Sequence, residues 1–364
     1  MEYVQERIAT LHDFGGDPPV APTDRAAVVV PMTEREYGGW AAERTLSELS
    51  TLDPARVVVP LRATPERAAD FRDWLAGFDL DLDVLWCNGE RVEALLAERG
   101  LDGAAGKGRD VWLALGLAAA DQPFVVCHDA DVRSYDASDV ARLLAPLEWG
   151  YDFTKGYYAR IENDRLYGRL FRLLFVPLVR ALRDRHDALV LGYLDAFRYA
   201  LSGEFAARAD LVAGLRVERR FGLEVGTLGG AFDAAGLAGT AQVDLGRYEH
   251  DHRAVSGPSG LADMSEDVVA ALHRVVEAHG VDPDYGTLPE AYHETATALC
   301  RGYEADARFN GLTYDRGEER AQVDRYAAAV RPPDEDDRLP PWAEVDLDPA
   351  EVREAARADL EAVA

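Results

Sequence analysis

Short apolar runs alternate with longer amphipathic segments over the first third of the chain. Apolar runs of four to eight residues are typical of buried strands, and a period of 3.6 is typical of helices. The predicted strands are Ala26–Pro31, Arg56–Leu61, Leu82–Asn88 and Pro123–His128. The predicted helices are Trp40–Leu49, Pro65–Phe78, Arg91–Arg99 and Arg109–Ala120. Continuous apolar strands separated by helices indicate a doubly wound, mostly parallel α/β sheet covered on both faces. Ligands of such sheets bind at the carboxyl ends of the strands.

The pattern changes after Trp149 and becomes mainly helical. Strand-like segments are predicted at Tyr151–Ile161 and Gly236–Tyr248. The predicted helices are Leu166–Arg183, Gly192–Leu215, Asp263–His279 and Leu288–Gly311. From Arg331 the chain is rich in proline and aspartate, and a polar helical segment at Pro349–Ala364 is expected to be a loosely held appendage.

These patterns divide the chain into five predicted parts. Residues 1–24 form an N-terminal arm, residues 25–150 the α/β half, and residues 151–265 a second half. A helical region follows at 266–330, and the last part is an acidic, loosely held tail at 331–364.

The charge of the chain excludes one large class of function. Asp and Glu number 66 against 39 Lys and Arg, which gives a formal net charge of −27. A nucleic-acid-binding protein needs a basic face, so we expect no nucleic-acid partner. Lys107 and Lys155 are the only lysines, and the rest of these 39 basic residues are arginines. An acidic surface almost without lysine is typical of proteins that stay soluble in high salt.

Cysteine usage and hydropathy predict a soluble protein of the cytoplasm. The three cysteines are odd in number, widely separated and without a CxxC pair, so a disulfide framework and a zinc site are both excluded. No cationic-then-apolar signal pattern opens the chain. The longest apolar stretch, Leu166–Leu182, carries three arginines and a proline, so no transmembrane segment is expected.

The sequence HDAD at 128–131 follows a predicted buried strand and carries the most specific candidate chemistry. Asp129 and Asp131 can supply oxygen ligands to Mg²⁺ or Mn²⁺ at the carboxyl end of the sheet. Such an ion would bridge a diphosphate and stabilise the charge that develops as the diphosphate leaves. A DxD pair on its own is a weak signal in so acidic a chain, but its position after a strand strengthens it.

Lys107 lies between two glycines at the start of a predicted helix. Backbone N–H groups at a helix N-terminus and an adjacent ammonium suit a phosphate. The spacing is not that of a Walker loop, and an ordinary capping turn is the alternative. The near absence of other lysines suggests that a compact ammonium is needed here and at Lys155.

Five further residues have both a functional and an ordinary interpretation. His250 and His252 stand in an acidic loop after a strand, where they could contact a metal or phosphate or could be ordinary histidines. Glu224 is an acid in an apolar stretch and needs a partner. Glu204 could simply be a favourable acid at a helix N-terminus, and Arg169 could lie on a solvated helix face.

The order of these features resembles that of the retaining GT-A glycosyltransferases of the glucosyl-3-phosphoglycerate synthase type. The ordered set is VVVPMTERE, GKG, DxD, a strand with a lysine, GRL, SGE, GLEVG and LGRYEH, from about Ala26 to about Ala270. The resemblance implies a GT-A fold, with a nucleotide-diphospho-sugar in the α/β half and an acceptor site in a second, mainly helical part. It also implies Mg²⁺ or Mn²⁺ and transfer of a hexose from a UDP- or GDP-sugar to 3-phosphoglycerate with retention, in a compatible-solute pathway. A homodimer is plausible on the same ground.

The resemblance also implies residue roles. The implied metal ligands are Asp131 and His250. The implied donor contacts are Pro31, Met32, Glu34 or Glu36, Lys107 and Asp129. The implied acceptor contacts are Arg169, Glu204 and His252. Glu224 resembles the acid beside the donor sugar and, with Asp131 and Lys107, is an implied catalytic residue.

Two departures from the family pattern concern substrate recognition. The turn after the second strand is VVVPLRATPE instead of a polar run with an aspartate, which affects base recognition. His250-Asp251-His252 replaces His-Arg-Asn, and a negative Asp251 in that loop could disfavour a phosphorylated acceptor. No carboxylate nucleophile is evident, so we expect front-face transfer in which the leaving phosphate helps to take the acceptor proton.

Three alternatives remain open from the sequence. The acceptor could be glycerate, another sugar or a polyprenyl phosphate. A sugar nucleotidyltransferase shares this type of sheet, although VVVPMTERE lacks the glycine-rich basic loop of that class. A non-catalytic nucleotide-sugar-binding protein would leave the acids and histidine without a role.

Overall fold

The computed structural model describes residues 5–251 and 258–363. The strands are β1 (Ala9–Leu11), β2 (Ala26–Val29), β3 (Met32–Thr33), β4 (Arg56–Arg62), β5 (Leu82–Trp86), β6 (Phe124–Cys127), β7 (Phe153–Glu162), β8 (Arg165–Leu166), β9 (Phe205–Arg208) and β10 (Thr240–Tyr248). The first helices are α1 (Trp40–Leu52), α2 (Pro65–Leu75), α3 (Glu90–Glu98), α4 (Lys107–Asp121), α5 (Ser138–Glu148), α6 (Val176–Arg183) and α7 (Leu189–Leu194). The later helices are α8 (Ala209–Ala213), α9 (Leu223–Ala235), α10 (Pro258–Ala278), α11 (Leu288–Phe309), α12 (Arg316–Ala327) and α13 (Pro349–Ala362). A π-helix at Leu170–Phe175 leads directly into α6, and single 3₁₀ turns occur at Thr23–Arg25, Glu34–Glu36 and Trp342–Glu344.

One mixed sheet organises these elements and confirms the predicted α/β class. Its strand order is β1-β10-β7-β9-β6-β2-β4-β3, with β5 also paired to β4 and β8 to β7. The pairs are parallel except those made by β9 with β6 and β7, and by β8 with β7. Strands β2 and β6 are buried along their whole length, as expected of strands covered on both faces.

The start of α4 is fixed by close backbone packing. Gly108 lies against the carbonyl of Glu218, where a Cβ would overlap the oxygen, and a Cβ on Gly106 would lie 2.6 Å from the carbonyl oxygen of Arg219. The N–H of Arg109 donates to that Arg219 oxygen at 2.9 Å. The two glycines therefore place the first residue of α4, Lys107, at the edge of the sheet.

The predicted helix Gly192–Leu215 is wrong. The structure instead has the short helix α7, the strand β9 and the short helix α8 in this region. Phe205 pairs with both Cys127 and Lys155, so β9 fills the space between β6 and β7. Hydrogen bonding on both strand edges outweighs the helical preference of this alanine-rich segment. Strands β1, β3 and β8 and helices α5, α9 and α12 were not predicted.

The C-terminal segment is packed, contrary to the expectation of a loosely held tail. Helix α13 packs on α3, α4 and β5. The buried Asp359 carboxylate accepts hydrogen bonds from the N–H groups of Arg91 (2.9 Å) and Val92 (3.2 Å) and pairs with the Arg91 guanidinium. Asp359 therefore caps the N-terminus of α3 from another helix, which composition alone does not reveal.

No helix in the described ranges is long and apolar enough to cross a membrane.

We expect Asp359→Ala to destabilise the protein by about 1–3 kcal/mol, because the buried N–H of Val92 and the partly buried N–H of Arg91 lose their acceptor. Urea unfolding measures the change. Glu354→Ala, an exposed acid on the same helix, is the matched control and should change stability by less than about 0.5 kcal/mol. Equal unfolding midpoints for the two variants would show that α13 is not held through Asp359.

Candidate active site

Three predicted site residues form one ion cluster at the carboxyl end of the sheet. Asp129 follows β6, Lys107 opens α4, and Glu224 lies in the first turn of α9. The ammonium of Lys107 donates to Asp129 Oδ1 at 2.7 Å and to Glu224 Oε1 at 3.2 Å. The cluster therefore joins three elements that are far apart in sequence.

In this cluster the charge interactions together shift the pKa values more strongly than burial does. Burial by itself lowers the pKa of Lys107, but the charges of Asp129 and Glu224 outweigh burial and raise that pKa well above its usual value. Burial raises the pKa of Asp129, but the charge and hydrogen bond of Lys107 outweigh it and lower that pKa. Lys107 and Asp129 are therefore both charged at neutral pH.

Asp131 and His250 are brought together by backbone pairing. Val132 forms an antiparallel bridge with His250, and the N–H of Asp251 donates to the carbonyl of Asp131 at 2.7 Å. The His250 side chain is buried, with Nδ1 3.7 Å from a Glu162 carboxylate oxygen. The loop after β10 thus lies beside the DxD segment, as the family resemblance implies.

The Asp131 carboxylate suits a cation. It accepts no hydrogen bond from the residues that the structure describes, and burial and the nearby charge of Asp129 raise its pKa. A divalent cation would stabilise the charged form, and a carboxylate with an imidazole is a donor set that Mn²⁺ and Mg²⁺ enzymes can use. Within the described ranges no group of three or more His, Cys, Asp or Glu side chains is arranged to hold a metal ion. Mg²⁺ in proteins usually keeps several waters and takes further ligands from substrate phosphates, so Asp131 and His250 would form only part of its ligand set.

The turn after β2 lies beside Asp131. Glu36 Oε2 accepts from the N–H of Thr33 at 2.6 Å, and Glu34 accepts from the N–H of Thr64 at 2.5 Å. Pro31 precedes β3, and Met32 is buried in it. A cavity is lined by Glu36, Asp131, Asp251, Arg35, Gly39, Ala41, Ala42 and Ala130. Burial raises the pKa of Glu36, and the charge of Asp131 adds to the effect.

Lys155 and Glu204 are buried beneath the ion cluster. Lys155 Nζ donates to the carbonyl of Ser202 at 2.6 Å, and burial lowers the pKa of this lysine to about 8. Glu204 is fully buried, and neither of its carboxylate oxygens has a hydrogen-bond partner among the described residues. Glu204 directly precedes β9, so the interpretation as an acid at a helix N-terminus is wrong.

Arg169 is held by the C-terminal helical region. Its guanidinium contacts Glu318 at 2.9 Å and Glu319 at 3.1 Å, both on α12, and Glu319 also pairs with Arg172 at 2.8 Å. Sequence reasoning missed both acids because no local pattern signals a contact over about 150 residues. His252 lies outside the described residues.

This arrangement can bind a metal–diphosphate group. Lys107 supplies a fixed positive charge at the start of α4, while Asp131 and His250 can hold the cation. A negatively charged leaving group at this position would be stabilised from both sides.

Comparisons with known proteins agree with this chemistry, although no family model matches the chain. The chain is 33% identical to a glucosyl-3-phosphoglycerate synthase of Methanococcoides burtonii, over 94% of this chain and 91% of that protein. It is 34% identical to the enzyme of the same name from Persephonella marina, over 84% and 80% of the two chains. Among solved structures, that of glucosyl-3-phosphoglycerate synthase from Mycobacterium tuberculosis with Mn²⁺, UDP-glucose and phosphoglyceric acid superposes with a TM-score of 0.56 at 26% identity. This superposition covers 76% of this chain and 89% of that one.

The raised pKa of Glu204 makes the free energy of unfolding fall as the pH rises. Burial and the charge of Asp129 raise the pKa of Glu204 from 4.5 to about 8. The folded protein therefore keeps a proton that the unfolded chain releases, and this costs stability as pH rises through that range. We expect Glu204→Gln, which cannot ionise, to gain stability relative to wild type between about pH 5 and pH 8.

Urea unfolding of both proteins at constant salt measures this difference. Glu354→Gln, an exposed acid on α13, is the control and should show a difference from wild type that does not change with pH. A pH-independent difference for Glu204→Gln would contradict the raised pKa.

Proposed function

The chain belongs to the glucosyl-3-phosphoglycerate synthase family, and we propose that it transfers glucose from UDP-glucose to 3-phosphoglycerate with Mn²⁺ or Mg²⁺. It is thus a glycosyltransferase. The observation that carries the proposal is the pairing of Lys107 with Asp129 and Glu224 beside the Asp131–His250 bridge. Relatives and solved structures with this name support the same reaction.

The donor would lie across the carboxyl ends of β2 and β6. We propose that Pro31, Met32 and the Glu34–Glu36 turn, which follow β2, contact the base and ribose. Asp129 is held by Lys107 and would contact the ribose and diphosphate. The ammonium of Lys107 would neutralise part of the charge that the nucleoside diphosphate gains as it leaves.

Asp131 and His250 would hold the cation. When bound, Mn²⁺ or Mg²⁺ acts as a Lewis acid on the diphosphate oxygens. The Lys107 side chain is only 23% exposed, so its charge would act on the same oxygens more strongly than it would in open water.

Transfer with retention is expected to occur on the front face of the sugar. Glu224 shares the Lys107 ammonium at 3.2 Å, which reduces the nucleophilicity of its carboxylate. Its position beside Lys107 instead suits a hydrogen bond to a sugar hydroxyl. Trapping of a covalent glycosyl-enzyme on Glu224 would contradict this assignment.

The acceptor phosphate would be bound by Arg169, with His252 as a further acceptor contact. Glu318 is half-exposed and already occupies one side of the Arg169 guanidinium, so a phosphate would compete with it. Glu204 has no exposed surface, so we propose that it supports the site from below. A homodimer and a cytoplasmic location stay predictions, as does the use of a GDP-sugar.

We expect Asp131→Asn to reduce turnover and the affinity for Mn²⁺·UDP by about 100-fold or more, because the proposed cation loses its carboxylate ligand. Calorimetric titration with Mn²⁺ and UDP, together with a transfer assay, measures both effects. Glu249→Gln is the matched control, since this half-exposed acid belongs to the same bridge and pairs only loosely with Arg133 at 3.8 Å. An Asp131→Asn enzyme with wild-type metal dependence would overturn the metal assignment.

Arg169→Ala is expected to raise the KM for 3-phosphoglycerate by about 10-fold or more and to leave the KM for UDP-glucose unchanged, because one charge-assisted contact to phosphate is lost. Glu318→Gln should lower the KM for 3-phosphoglycerate, since it removes the competing carboxylate. Steady-state kinetics test both variants. An unchanged acceptor KM in both would assign the phosphate to another part of the protein.

A further inference from the structure

Lys155 carries a charge in the middle of the sheet, outside the contacts assigned to substrates. It pairs with Gln242 on β10 and with Phe205 on β9, and it is 1% exposed. A buried ammonium costs several kcal/mol unless it is paired and hydrogen-bonded. Such a residue in a chain with only two lysines requires an explanation.

The ammonium of Lys155 holds the turn that supports Asp129. Its Nζ donates to the Ser202 carbonyl at 2.6 Å, and Ser202 Oγ donates to the carbonyl of Gly156 at 2.6 Å. The next residue, Gly203, lies so close to Asp129 that a Cβ there would be 2.5 Å from Oδ2. Movement of this turn would therefore displace the Asp129 carboxylate from Lys107.

Lys155 also balances the net charge of the cluster formed by Lys107, Asp129 and Glu224. Lys107, Asp129 and Glu224 together carry one net negative charge, because one ammonium faces two carboxylates. Glu224 is the anion that acts most strongly on Lys155, whereas Glu204, whose pKa burial raises to about 8, keeps its proton at neutral pH. With Lys155 charged, the set of Lys107, Lys155, Asp129 and Glu224 is neutral, so a diphosphate meets no net repulsion from it.

We propose that Lys155 is a positioning residue that fixes the Ser202–Glu204 turn against Asp129 and supplies the second positive charge for binding the donor diphosphate. The inference rests on the proposed function for the identity of the donor. A compact ammonium fits the space between β7 and the turn, where a planar guanidinium would need more room.

Lys155→Met and Lys155→Gln test this role by calorimetric titration of Mn²⁺·UDP and by steady-state kinetics. The methionine side chain is unbranched and one atom shorter than lysine, and it loses both the charge and the hydrogen bond, whereas the glutamine variant keeps a donor. We expect the affinity for Mn²⁺·UDP to fall about 10-fold or more in Lys155→Met and by a smaller factor in Lys155→Gln. The KM for 3-phosphoglycerate should stay unchanged, which a general loss of structure would not produce.

Gly203→Ala tests the same turn with the buried charge retained, in case both lysine variants fail to fold. We expect it to weaken Mn²⁺·UDP binding, and Gly302→Ala, where an added Cβ meets nothing within 4 Å, should have no effect. Wild-type affinity for Mn²⁺·UDP in the folded lysine variants or in Gly203→Ala would overturn the proposal. A folded wild-type protein that does not bind Mn²⁺·UDP would instead overturn the proposed function.

Discussion

The ion pairs of Lys107 with Asp129 and Glu224 are the interaction on which the site depends. They join the end of β6, the start of α4 and the first turn of α9 within 3.2 Å. Because the two carboxylates keep Lys107 charged, the ammonium that we propose binds the donor phosphates is fixed in place before any ligand arrives. Gly106 and Gly108 place Lys107 at this position. The turn that Lys155 holds supports Asp129.

The α/β half could be predicted from sequence because its strands are continuous apolar runs and its helices are amphipathic. These are local signals, and each strand from β2 to β6 other than the two-residue β3 was found within a few residues. Strand β9 could not be found in this way, because its FAAR sequence gains its structure from hydrogen bonds to β6 and β7. The docking of α13 through Asp359 likewise depends on a distant helix N-terminus.

Site residues could be predicted from the sequence where their residue type is rare in this chain. Lys107 and Lys155 were conspicuous because lysine is otherwise absent, and the structure places both near Glu224. The pairing of Arg169 with Glu318 and Glu319 could not be predicted, because a chain with so many acids gives no indication of which acid pairs with which arginine. The burial of Glu204 could not be predicted either, because the local sequence around it is compatible with the start of a helix and with the start of a strand.

The most direct test is to incubate the purified chain with UDP-glucose, 3-phosphoglycerate and Mn²⁺ at high salt and to examine the product by proton NMR. We expect an α-linked glucosyl-3-phosphoglycerate, formed only when the divalent cation and the acceptor are both present. Absence of transfer from a folded protein, or a β-linked product, would contradict it.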